Sequence, residues 1–171
     1  LVMAPAAQAR GLSGAAFDQP VLITSVGQSA DGQMVRVLAQ RAGLDATYDS
    51  LAPASAAGAY KTVILVVGGS SKGLGAAGIN PDQEEQRTQG MIAAARTAGA
   101  KVIVMHVGGE ARRGDLTDRY VRAAAPQADY MIVVAEGNGD GLFTGIAGET
   151  IPIDMPGTIG EEGPFLKAAF R

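Results

Sequence analysis

The chain has no cysteine, which excludes disulfides, a cysteine nucleophile, thiolate zinc ribbons and cysteine-held iron–sulfur clusters. It has no tryptophan, and aromatic residues make up only 5% of its 171 positions, so a core must be built from Ala, Val, Ile and Leu. A single histidine, His106, cannot assemble a multi-histidine metal site; neither a metal nor an organic cofactor is expected. Positive charge is also sparse: 14 Lys and Arg stand against 17 Asp and Glu, for a net charge of −3. Nucleic-acid faces need clustered cations, often with stacking aromatics, so no nucleic-acid partner is expected. No run reaches the ~18 apolar residues of a membrane span, so no membrane insertion is expected.

What is present suits one compact domain. With 47% hydrophobic and 18% charged residues, a chain of this length can bury roughly 70% of its unfolded surface. The first residues read "LVMAPAAQARG", and Ala7-Gln8-Ala9 after a short apolar segment is the small-residue pattern that signal peptidase accepts. Residues 1–9 are therefore expected to be the remnant of a signal peptide, 10–19 a flexible lead-in, and 20–171 a single α/β domain, periplasmic or secreted.

Along the domain, "PVLITSVG" (20–27), "KTVILVV" (61–67), "KVIVMHV" (101–107) and "DYMIVVAE" (129–136) are continuous apolar runs, the mark of strands buried on both faces. "LDATYDS" alternates and suggests an edge strand; "IPID" suggests a last short one. Between them lie helices. One opens at Asp31, read as its N-cap, with Met34, Val35, Leu38 and Ala42 on one face. A second starts at Asn80-Pro81 and runs to about Ala98, with Met91, Ile92, Ala95 and Ala98 inward. "DLTDRYVRAAA" and "DGLFTGIAGE" follow, and "EEGPFLKAAFR" ends the chain as a helix with Pro164 in its first turn. This alternation predicts one doubly wound domain with a mainly parallel sheet of five to six strands, in the flavodoxin-like, Rossmann-like order 2-1-3-4-5.

Ligands of such sheets bind beyond the carboxyl ends of the strands, where the strand order reverses. Four polar, Gly-rich segments leave those ends: "SVGQSAD", "GGSSKGLGAAG", "HVGGEARRGD" and "EGNGDG". The second is not a P-loop, because Leu74 and Gly75 stand where Lys and Ser/Thr belong. Gly73-Leu74-Gly75-Ala76-Ala77-Gly78 matches the spacing of a dinucleotide fingerprint, but five residues separate it from the strand. The run Gly69–Gly75 resembles the cofactor loop of short-chain dehydrogenases, with Gly68 in place of the usual Thr and no following Tyr-x-x-x-Lys. Taken together, "GGSSKGLGAAGI", "HVGGEARRGDLTD" and "VVAEGNGDG", spread over residues 21–147, are similar to an uncharacterised family of exported bacterial α/β domains. That resemblance implies export and a compact domain and carries no activity.

On chemical grounds, the backbone N–H groups of Gly68, Gly69, Ser70, Ser71 and Gly73 can form an anion-binding concavity, with Lys72 adding charge; otherwise the segment is a solvated loop. Asp82, Glu84 and Glu85, at the start of the next helix, oppose a deep phosphate. Arg112 and Arg113 suit a carboxylate or phosphate, or else pair with Glu110 or Asp115. Ser25, Gln28 and Ser29 can donate to a ligand or serve the turn. Gly108 and Gly109 allow close approach. Glu136, Asn138 and Asp140 can bind a hydroxyl or a hard cation, or simply form a turn and an N-cap. Ser71 and His106 are the catalytic candidates, with Ser70, Glu136 or Asp140 completing a set on paper. His106 reads equally as a core histidine, and no nucleophile elbow is expected. The function expected is binding of a small polar, anionic ligand at the carboxyl edge. The alternatives are a hydrolase or nucleotide-dependent enzyme using the same cleft, and a structural domain with a protein partner in the cell envelope.

Overall fold

The computed structural model describes residues 10–171; the expected signal-peptide remnant, 1–9, lies outside them. Six parallel strands, β1 (Val21–Val26), β2 (Ala46–Tyr48), β3 (Thr62–Val67), β4 (Lys101–His106), β5 (Tyr130–Val133) and β6 (Ile153–Asp154), form one sheet in the order 2-1-3-4-5-6. The expected doubly wound order is thus present, extended by β6. The four central strands read as unbroken apolar runs because helices cover both sides of the sheet. On one face, Leu22, Leu65, Val104 and Met131 pack against α3 (Pro81–Thr97), α4 (Asp115–Ala124) and α5 (Leu142–Ala147). On the other, Ile23, Ile64, Ile103 and Ile132 pack against α1 (Asp31–Arg41) and α6 (Ile159–Ala169). Among the described residues no helix is long and apolar enough to cross a membrane.

Several local expectations are corrected. The segment after β3 is not an extended loop: Ser71–Ala77 forms a short helix, α2, capped by the Ser70 hydroxyl, which accepts from Gly73 N–H at 3.0 Å. Buried Leu74 anchors it. The N-cap of α1 is Ala30; Asp31 is the first helical residue and is buried. Met34 is exposed, and the inward face of α1 is Val35, Leu38 and Ala39. Ala98 lies just past the end of α3 and is exposed. The last helix begins earlier than expected, capped by Thr158, so Pro164 falls beyond its first turn. Residues 10–19 are tied to the body. Ala16 and Phe17 donate to the Ala169 carbonyl at 3.0 Å, and the Phe17 ring is buried against Tyr130 and Phe170.

The start of α3 follows its sequence signals: Asn80 and Gln83 form a reciprocal capping box, with Pro81 at the first position. One turn in, fully buried Glu84 pairs with Arg87 at 2.7 Å. Glu84 Oε2 also accepts from Gly27 N–H at 2.9 Å and from the Gln28 amide at 2.8 Å. Arg87 donates to Thr24 Oγ1, the Ala52 carbonyl and the Ser25 carbonyl. Removing one partner of such a pair leaves the other charge buried and unmatched. Glu84→Ala is therefore expected to cost about 3 kcal/mol, read as a lower urea midpoint with an unchanged denaturant slope.

Candidate functional site

The strand order reverses between β1 and β3, because α1 crosses on one face and α3 on the other. The four Gly-rich segments do gather at this edge. They do not form an open cradle of amides. Gly27 N–H goes to Glu84, Gly68 N–H to the Val26 carbonyl, Gly69 N–H to Thr117 Oγ1 and Ser70 N–H to the Gly27 carbonyl. Ser29 N–H goes to the Gly68 carbonyl. The glycines are there for close packing. A side chain on Gly73 would run into the Gln28 carbonyl, and one on Gly69 into Leu116 and Thr117. Gln28 itself has a left-handed backbone (φ 63°), and its amide is spent on Ser50 and Glu84.

The two neighbouring arginines part company. Arg113 is saturated: it donates to both oxygens of Asp118 (2.6 and 3.1 Å), both oxygens of Asp140 (3.0 and 2.8 Å) and the Gly137 carbonyl (2.6 Å). These bonds hold Asp118 below the usual carboxylate range, push Asp140 down to about 2 and raise Arg113 further. Arg113 is a brace between the segments that follow β4 and β5. Arg112 has no hydrogen bond from its guanidinium to the rest of the described chain. Its nearest carboxylate is Asp31, Nε to Oδ2, at 3.7 Å, and its side chain is 36% exposed. Lys72, in the first turn of α2, is exposed.

Beside Arg112 opens a cleft of about 670 Å³ lined by Glu110, Arg113, Gly114, Asp118, Glu136, Gly139 and Asp140. Four of these residues are acids and one, Arg113, is a cation, so this part of the edge is acidic. Asn138 does not line it; its side chain caps α5, accepting from Phe143 and Thr144 N–H and donating to Thr144 Oγ1. Among the described residues no group of three or more His, Cys, Asp or Glu is arranged to hold a metal ion.

The catalytic candidates do not meet. His106 is fully buried, its ring stacked on Phe143 at 5.3 Å. Nδ1 lies 3.0 Å from the Val67 carbonyl, which can only accept, so Nδ1 carries the proton. Burial pushes its pKa down, and Nε2 lies against Gly137 without a hydrogen-bond partner in the described chain. The expectation about the elbow needs correction. Gly69-Ser70-Ser71-Lys72-Gly73 spells Gly-x-Ser-x-Gly, and it lies between a strand and a helix as that motif requires. Yet Ser71 begins α2 with ordinary helical backbone rather than a strained turn, and no hydrogen bond joins it to His106. A serine–histidine pair is not assembled.

On the α1/α6 face Ser25, a ligand-binding candidate, and Asp31, read as an N-cap, are joined by a buried acid that the sequence did not single out. Glu162, in the first turn of α6, is fully buried, and neither carboxyl oxygen has a hydrogen-bond partner in the described chain. Asp31 Oδ2 and Ser25 Oγ are buried and likewise unpartnered. Burial, with the Asp31 charge adding to it, pushes Glu162 from its ordinary 4.5 up to about 9.

A family model described as a domain of unknown function, DUF6305, matches residues 18–170. No curated protein matches the chain. Among solved structures, it is similar to a truncated 3-deoxy-D-arabino-heptulosonate 7-phosphate synthase from Thermotoga maritima, at 13% identity and a TM-score of 0.36. That match covers 96% of this chain and 51% of the other, so the chain spans about half the synthase's length. It is also similar to TesA (16% identity, TM-score 0.31, covering 79% of this chain and 77% of that one). The esterase EstA from Pseudoalteromonas sp., in a structure inhibited by monoethylphosphonate, matches at 13% identity and a TM-score of 0.31, covering 79% of this chain and 75% of that one.

The state of Glu162 has a measurable consequence. Below pH 4.5 both folded and unfolded chains hold its proton; between 4.5 and about 9 the unfolded chain releases it and the folded chain keeps it. Stability therefore falls as pH rises through that window, by roughly 3 kcal/mol at neutral pH. Thermal melts of Glu162→Gln, which cannot ionise, are expected to vary less with pH than the parent across this range, and to lie above it at the alkaline end.

Proposed function

This chain belongs to the DUF6305 family, and we propose that it is an exported binding domain that takes a small polar ligand at the carboxyl edge of its sheet through an anionic group held by Arg112. The observation that carries this reading is the state of Arg112. It lies on the turn after β4, partly exposed, 3.7 Å from Asp31 and with no hydrogen bond from its guanidinium among the described residues. A guanidinium has five donors in a planar fork that matches a carboxylate or phosphate, and here they are uncommitted within the described chain. Lys72 adds an exposed cation on the rim.

The glycine-rich segments after β1 and β3 serve this site more as a frame than as donors, since the amides of Gly27, Ser29, Gly68, Gly69, Ser70 and Gly73 are bonded within the fold. The acidic cleft beside Arg112 limits what the ligand can carry: Glu110 and Glu136 oppose a second negative charge extending toward β5. Export rests on the Ala7-Gln8-Ala9 pattern. The hydrolase alternative has the Gly-x-Ser-x-Gly run in its favour, but among the described residues no hydrogen bond joins Ser71 to His106.

A thermal-shift screen against carboxylates, phosphates, sugars and nucleotides tests the reading. A ligand at about 100 times its Kd adds about 2.7 kcal/mol, which for a domain this size raises the Tm by several degrees. Arg112→Ala is expected to abolish the response and Arg112→Lys to weaken it. A hit that survives Arg112→Ala would place the site elsewhere.

A further inference from the structure

Beneath Arg112 the edge has an acceptor-rich floor. On the α1/α6 face, Ser25 ends the apolar row of β1. The next positions up, Gly27 after β1 and Gly68 after β3, have no side chain. Ser29 and Asp31 occupy the space that Gly68 leaves: a Cβ there would stand 2.8 Å from Asp31 Oδ2 and closer still to Ser29 Oγ, whereas one on Gly27 would meet the Gly68 backbone. A Cβ on Gly108 would also stand 2.8 Å from Asp31 Oδ2. That oxygen is therefore bracketed by the segments leaving β3 and β4. Ser25 Oγ, Asp31 Oδ2 and both oxygens of Glu162 are all buried without a hydrogen-bond partner in the described chain. Arg112 separates this floor from solvent: its side chain is 36% exposed, while that of Asp31 is 6% exposed with Oδ2 buried. At 3.7 Å the two are close enough to attract and too far apart for a hydrogen bond.

We propose that the edge binds the head of an α-amino acid, with its carboxylate on the Arg112 guanidinium and its ammonium on Asp31 Oδ2. This rests on the reading of Arg112 as the anion site and names the ligand class for it. A carboxylate that takes the guanidinium fork draws Arg112 off Asp31 and would leave a buried carboxylate without its counter-charge. A ligand that brings its own cation next to its carboxylate restores that charge. The α-ammonium sits one carbon away from the carboxylate, so the ligand offers two opposite charges a few ångströms apart. They face two opposite charges of the protein at similar spacing. Glu110 and Glu136 on the adjoining cleft point the same way. Repulsion from them disfavours a phosphate or a dicarboxylate more than a net-neutral zwitterion, whose ammonium offsets its carboxylate.

The probes are L-alanine, L-serine, L-leucine and L-phenylalanine at millimolar concentration. Each is compared with its deaminated acid and its decarboxylated amine, by thermal shift and by titration calorimetry. At least one amino acid is expected to bind, its deaminated acid roughly tenfold or more weakly, as the loss of a charge-assisted bond requires, and its amine not measurably. In Asp31→Asn the preference for the amino acid over the deaminated acid is expected to collapse, and in Arg112→Ala all binding is expected to disappear. If the deaminated acid binds as well as the amino acid and Arg112→Ala abolishes both, the ammonium contact is overturned and the anion site stands. If nothing binds, the α-amino acid reading fails, and the broader anion screen then decides the fate of the Arg112 site. Should Asp31→Asn fail to fold, the amino acid and deaminated acid compared on the parent chain decide the point alone.

Discussion

The edge of this molecule is organised by the ion pair between Glu84 and Arg87. β1 is flanked by β2 and β3, and its carboxyl end must leave the sheet without abandoning buried backbone groups. α3 supplies what the backbone lacks: a carboxylate for Gly27 N–H and the Gln28 amide, and a guanidinium for the Ser25 and Ala52 carbonyls. With these contacts in place, Gly27 and Gln28 can hold left-handed backbone, at φ 106° and 63°. That sharp turn sends the chain to the opposite face of the sheet, where Ser29 and Asp31 drop over Gly68. An ion pair on the α3 face thus sets the position of the Asp31 carboxylate on the α1 face.

The same turn explains why glycines crowd the carboxyl edge. The segments leaving β1, β3 and β4 pass within contact of one another, and side chains on Gly68, Gly73 or Gly108 would collide with Ser29, the Gln28 carbonyl or Arg112. Glycine-rich composition here reports close approach of chains. It is a different use from the phosphate cradle, where the same residue frees amides to face a ligand. Both uses look alike in sequence, because composition does not show where an N–H points.

That ambiguity marks the limit of what was legible. The central strands were readable because burial on both faces imposes continuous apolar runs, and the start of α3 because Asn80, Pro81 and Gln83 are local signals. α2 was not readable: Gly73 and Gly75 are poor helix formers, and the segment is helical because Leu74 is buried and Ser70 caps it. Asp31, Glu84 and Glu162 each sit near a helix N-terminus, where an acid is ordinarily a surface residue favoured by the dipole. All three are buried, and nothing in their local sequence distinguishes them from Asp82 or Glu161. Ser71 was the opposite case: its Gly-x-Ser-x-Gly pattern stood in plain view, yet its helical backbone is not that of an elbow.

Arg112 and Arg113 show how a site emerges from such context. They are adjacent in sequence, and both suit an anion. The segment after β5 brings Asp140 and the Gly137 carbonyl to Arg113, and α4 brings Asp118; every donor is consumed. Arg112, one position earlier on a 3₁₀ turn, packs its stem over Gly108 and has Asp31 as its carboxylate neighbour among the described residues, at a distance that completes no hydrogen bond. Had both been saturated, the edge would be a rigid seam. Because Arg113 braces the segments while the Arg112 guanidinium makes no hydrogen bond among the described residues, the fold sets Arg112 beside the buried Asp31 carboxylate at the carboxyl edge, the edge where sheets of this topology accommodate ligands.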